Sequence, residues 1–187
     1  MYSSRVPRLW ESSVEGHRAS VHAAVLQAVQ TLAHDGGVES VTMSGVAEKA
    51  GIGRATLYKY FPDLDALLVA WHAEQVAGHV ARLRHLADEA GEDPWQRLEA
   101  VLTGYAHSRR HAAHGDLPRR LHEGQHVREA QRSLQACVVE LIAACDLDQA
   151  QERASFAMHA LAAASDLSSP AALRRLVERV LAGLRAG

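Results

Sequence analysis

The chain of 187 residues is short of aromatics, with only 5% Phe, Trp and Tyr, and shorter still of lysine, with Lys49 and Lys59 alone. It has two cysteines and a formal net charge of −2. Each shortage excludes something. A net charge so near zero rules out a global basic field, so any nucleic-acid contact must be built locally. Cys137 and Cys145 are eight residues apart on one predicted helix. That separation is about 12 Å, too far for a disulfide, so they read as buried reduced thiols in a cytoplasmic protein. No apolar run reaches the roughly 18 residues a membrane span needs. The start, MYSSRVPRLWESS, lacks the apolar stretch of a secretory signal.

What is present is apolar and helix-forming. Apolar residues make up 48% and charged residues 22%, a globular balance rich in Ala and Leu and poor in β-branched runs. An all-α fold of about nine helices is expected. Residues 1–15, with Pro7 and several serines, read as a loose arm. Val21, Ala24, Val25, Ala28, Val29 and Leu32 recur at helical spacing from about Gly16 and stop at Asp35-Gly36-Gly37. Thr42 caps a short helix ending at Ala50-Gly51-Ile52-Gly53; a second short helix runs from Arg54 to about Tyr60. Pro62 breaks the chain and Asp63 caps a long helix carrying Leu64, Leu67, Leu68, Trp71 and Leu83. Further helices begin at Pro94, near Leu117, at Val127, after Asp148 and at Pro170.

Two short helices joined by Ala-Gly-Ile-Gly match a helix-turn-helix. Gly51 supplies the positive φ of the corner, Ala47 and Leu57 let the helices cross closely, and Ile52 plugs the angle between them. The outer face of the second helix is then left with Arg54, Thr56, Tyr58, Lys59 and Tyr60. Little of that suits a buried helix. An arginine can pair bidentately with the O6 and N7 of guanine. Thr and Tyr hydroxyls donate to phosphates without adding charge, and Lys59 neutralises one. Thr42 offers phosphate a hydroxyl and the free N–H groups of a helix start.

The segment VTMSGVAEKAGIGRATLYKYFPDLDALL, within residues 16–70, resembles the DNA-binding segment of the TetR family of transcriptional repressors. The resemblance rests on LYKYF at its distance after AGIG, with a helix upstream and a capped long helix downstream. It implies a three-helix DNA-binding domain over 16–61 and a C-terminal helical domain over 62–187 that binds an effector and dimerises. It implies a homodimer whose two heads enter successive major grooves of a near-palindromic operator in double-stranded DNA. A small molecule in the C-terminal domain then releases the operator by tilting the long helix. The residues expected at DNA are Thr42, Ser44, Gly53, Arg54, Ala55, Thr56, Tyr58, Lys59 and Tyr60, with Arg54, Ala55 and Lys59 nearest the base edges. Two positions depart from the family pattern. Gly53 stands where Ser is frequent, and Leu64 where a phosphate-touching Lys is frequent. Binding weaker than in relatives, or use of Arg5 and Arg8 on the arm, would follow.

Beyond the head the residues say less. Trp71, Trp95, Tyr105, His107, His111, Leu121, Phe156 and His159 are the candidate walls of an effector pocket. The resemblance places Ala157, Leu161, Ala164, Leu173, Leu176, Val177, Val180 and Leu184 in a four-helix dimer interface, though a single chain could bury the same residues internally. His107 and His111 have the i, i+4 spacing of metal ligands, with His114, His122 and His126 following. Arg109, Arg110, Arg119 and Arg120 crowd them and would repel a cation, so neither metal nor cofactor is expected. No nucleophile elbow, phosphate loop or nucleotide fingerprint is present, and Asp63 with Asp65 favours a helix dipole, so an enzyme is not expected.

Overall fold

A computed structural model describes residues 8–112, 121, 124–167 and 169–186, with side chains from residue 15 onward except at 111 and 112. Among the described residues there are eight α-helices, two short 3-10 turns and no strand. The short helix expected near 117–122 falls almost wholly outside those residues; Leu121 alone is described, and it is buried. The chain divides into two compact units, Met1–His72 and Ala73–Gly187.

In the first unit, α1 (Arg8–Gly36) starts well before the expected Gly16. Pro7 is the last helix-breaker, and the serines that follow it cost only tenths of a kcal/mol each in a helix. Val25 and Val29 of α1 are fully buried. Gly37, at φ 78°, turns the chain out of α1, its N–H bonding the carbonyl of Ala33 at 3.0 Å. A 3-10 turn (Val38–Ser40) leads to α2 (Met43–Lys49), then α3 (Arg54–Tyr60), then α4 (Leu64–Glu89). The Asp63 carboxylate accepts from the Ala66 N–H at 2.7 Å and caps α4.

The division into units falls inside α4, eleven residues beyond the boundary expected at 61. The reason lies in the first turns of that helix. Leu67, Leu68 and Trp71 are buried, and the Trp71 indole donates to the Gln30 side chain of α1 at 3.0 Å. These turns complete the core of the first unit.

The second unit comprises the rest of α4 with α5 (Pro94–Ala112), α6 (Gln125–Ala144), α7 (Ala150–Ala162) and α8 (Pro170–Ala186). Leu98, Leu102, Ile142, Ala157, Leu161 and Leu173 lie in one apolar core. Gly104 lets α5 approach α4 closely: a Cβ there would stand 2.7 Å from Leu83 and 2.8 Å from Leu86. Two arginines close helix ends. Arg97 donates to the Ala87 carbonyl late in α4 and pairs with Asp88 at 3.2 Å; Arg153 donates to the Leu184 carbonyl at 2.7 Å late in α8. Both cysteines are free thiols, Cys137 buried and Cys145 half-buried.

Candidate nucleic-acid interface

The corner between α2 and α3 is built as its residue types demand. Thr42, extended at φ −131°, caps α2 by accepting from the Gly45 N–H at 3.1 Å. Gly51 takes φ 67°, a conformation strained for a residue with a Cβ, and no other atom comes near the place a Cβ would occupy. Ile52 then turns back, its N–H donating to the Ala47 carbonyl at 3.0 Å. Val46 and Ala47 from α2 and Leu57 from α3 are buried, so the two helices share one apolar seam.

That seam decides which way α3 faces. With Leu57 fully buried, Arg54, Ala55, Tyr58 and Lys59 come out exposed, and Thr56 and Tyr60 half-buried. Tyr58 is 51% exposed, one of three large apolar side chains so exposed among the described residues. A phenol held in water on a seven-residue helix gains nothing for the core. Thr42, Ser44 and Gly53 are exposed as well, at the starts of the two helices. Of the nine residues expected at DNA, all in one unit, seven are exposed and two, Thr56 and Tyr60, are half-buried. Gly53 provides no side-chain cap for α3.

One feature of this unit was not legible beforehand. Arg18, Ala19 and His22 of α1 join Lys59 and Tyr60 of α3 around a concavity of about 350 Å³. The ring of His22 lies 5.3 Å from that of Phe61, the residue that closes α3. The i, i+4 spacing of Arg18 and His22 was the available signal, but helix spacing alone does not say what lies opposite.

The second unit distributes its candidates differently. Trp71 belongs to the first unit. Trp95 is half-buried under the Arg185 guanidinium, 4.5 Å above its ring centroid. Tyr105 is half-buried, and desolvation pushes its phenol above the ordinary 10.0 despite the opposing charge of Arg109. His107 is exposed, the side chain of His111 lies outside the described residues, Leu121 is buried, and Phe156 is 52% exposed. His159 is exposed and shares a 2.7 Å hydrogen bond with the Ser155 carbonyl. The structure does not gather these residues into one site.

The concavity of the second unit lies elsewhere. It is a groove of about 640 Å³ between α4 and α6, floored by alanines such as Ala73, Ala77 and Ala130 and rimmed by Arg84, His85, Asp88, His126 and Glu129. Alanines and charges on a helix read in a sequence as an ordinary solvated face, so nothing marked it. Nearby stretches of α4 and α5 hold two buried polar atoms, His79 Nε2 and Arg109 Nε, with no hydrogen-bond partner among the described residues. No three side chains of the metal-ligating types cluster among the described residues. Of the residues assigned to a dimer interface, Ala157, Leu161, Ala164, Leu173, Val177, Val180 and Leu184 are buried in the chain's own core, and Leu176 is half-buried. No helix among the described residues is long and apolar enough to cross a membrane.

The described residues thus form a small helical unit with a glycine-cornered helix-turn-helix and a larger, all-helical second unit. Residues 25–71, all inside the first unit, match the model of the tetR family of bacterial regulatory proteins, and that unit belongs to the family. The chain is 35% identical over 79 residues to the transcriptional repressor KstR of Rhodococcus jostii, across 42% of this chain and 36% of that one. It is 39% identical over 78 residues to KstR of Mycolicibacterium smegmatis, across 42% and 38%. The matched region thus spans well under half the length of these curated relatives. Solved structures share the fold over more of the chain. A TetR/AcrR-family regulator from Thermobifida fusca has a TM-score of 0.65 at 17% identity, covering 89% of this chain and 97% of that one. RolR, solved with resorcinol, has a TM-score of 0.61 at 20% identity, covering 90% and 89%.

Proposed function

We propose that the protein is a sequence-specific DNA-binding transcriptional regulator, a repressor that leaves its operator when a small molecule binds the C-terminal unit. The observation that carries the reading is α3: Leu57 is sealed inside while Arg54, Tyr58 and Lys59 stand exposed. In this arrangement α3 enters the major groove with its first residues, Arg54 and Ala55, toward base edges. Thr42, Ser44, Thr56, Tyr58 and Tyr60 hold phosphates, and Gly53 allows close approach of the backbone. The protein acts as a homodimer on a near-palindrome, each half-site taking one head. The KstR relatives, named as repressors, support the sign of regulation. The ligand of RolR supports an effector, for which the groove between α4 and α6 offers an open concavity in the second unit.

Selection of bound sequences from random duplexes tests this. Recovery of a symmetric site is expected. Arg54→Ala should then cost about 1–3 kcal/mol on that site and little on a scrambled duplex. Equal losses on both would reduce Arg54 to a backbone contact, and the absence of any enriched site would end the reading.

A further inference from the structure

We infer that Arg18 and His22 of α1, with Lys59 and Tyr60 of α3, form a cradle for one DNA backbone phosphate. The inference rests on the regulator reading above and goes beyond it by assigning a function to α1. The four side chains line one concavity of about 350 Å³ on the solvent side of the first unit. Arg18, His22 and Lys59 are exposed, and no ion pair is recorded for any of the three among the described residues. Two cations without a carboxylate partner among the described residues at one hollow, in a chain with only two lysines, are arranged for an anion rather than for stability.

The position selects phosphate over a base. Lys59 and Tyr60 occupy the last turn of α3, whereas Arg54 and Ala55 occupy the first, so Lys59, expected near base edges from the sequence, is assigned here to the backbone instead. When the first turn of a recognition helix meets base edges, the supporting helices meet the backbone. Chemistry divides the work. Arg18 gives a planar, permanently charged fork, and Lys59 a point charge. His22 and Tyr60 offer a ring N–H and a hydroxyl. The tilted contact of His22 with Phe61, interplanar angle 40°, fixes the imidazole at the rim without using its nitrogens.

The test uses the full chain, the selected duplex and a scrambled duplex of equal composition, with affinity followed through a salt series by fluorescence anisotropy. Arg18→Gln is expected to flatten the slope of log affinity against log salt by about 0.9, the loss of one phosphate contact, on both duplexes alike. The preference for the selected duplex should be unchanged, and Arg18→Lys should restore the slope. His22→Phe keeps the ring contact with Phe61 but removes the N–H. It should weaken both duplexes equally at unchanged helix content. An unchanged slope in Arg18→Gln, while Arg54→Ala still abolishes the preference, overturns the cradle and leaves the regulator standing. A changed preference in Arg18→Gln overturns it too, since that residue would then read sequence. A wild-type protein with no preference for any duplex removes both.

Discussion

Thr42 offers the sharpest separation of folding from binding, because one oxygen serves both. Its Oγ1 accepts from the Gly45 N–H at 3.1 Å, and its hydroxyl proton remains free to donate outward from an exposed position. The helix it caps has seven residues, so this bond is a large share of what holds the first turn. Thr42→Ala removes the acceptor at a cost of about 1 kcal/mol. A loss of that size raises the open fraction of the helix about fivefold. Thr42→Asp keeps an acceptor at the same place and adds a charge that the helix N-terminus favours by roughly 0.3–1 kcal/mol. The same charge faces any phosphate approaching α2. The two properties should therefore order the variants differently. Stability of α2 should run Asp at or above Thr, with Ala lowest. DNA affinity should run Thr, then Ala, with Asp lowest. Amide exchange of residues 43–51 in the full chain reads the first order, and anisotropy on the selected duplex reads the second. If Thr42→Asp binds as tightly as wild type, no phosphate comes to this helix start. If Thr42→Ala leaves exchange unchanged, the bond contributes nothing to the corner, and the account of how α2 is held is wrong.

Two further outcomes follow from the backbone and from burial. Gly51→Ala should lower stability by about 1–2 kcal/mol through backbone strain alone, since φ is 67° and the space around the added carbon is open; Gly51→Asn should lose less, and equal thermal midpoints for all three proteins would refute the argument. His79 has its pKa lowered from 6.5, first by desolvation and second by Arg82. A His that is harder to protonate when folded leaves stability intact above 6.5 and erodes it as pH falls from there toward the folded pKa. Urea midpoints at neutral and mildly acid pH should diverge less in His79→Gln than in wild type.

The head was legible in the sequence because its signals are stereochemical. Gly51 tolerates the positive φ of the corner, Pro62 breaks the helix, and Thr42 and Asp63 cap the helices that follow them; together they set the corner and the start of α4. Tyr58 and Lys59 on so short a helix could have no other use than a surface. The second unit was less legible because apolar spacing encodes burial and says nothing of the partner that buries. The stripe on α4 illustrates this: Leu67 and Leu68 complete the first unit, while Leu83, on the same helix at the same spacing, lies in the core of the second. No change in pattern marks the transition after His72.

The same ambiguity governs α7 and α8. Leu173, Val177, Val180 and Leu184 predict a buried face, and that face is buried within the chain. A second copy would therefore have to rest on what these helices leave outside. There Phe156 is 52% exposed, one of its ring atoms stands 3.4 Å from where a Cβ on Gly183 would be, and Leu176 is half-buried. A glycine beside an exposed phenyl is a combination that helical spacing overlooks, because neither residue extends the apolar stripe. A surface that joins two copies must be sought among residues that a single chain has no use for burying, and those are the ones a hydrophobic pattern passes over.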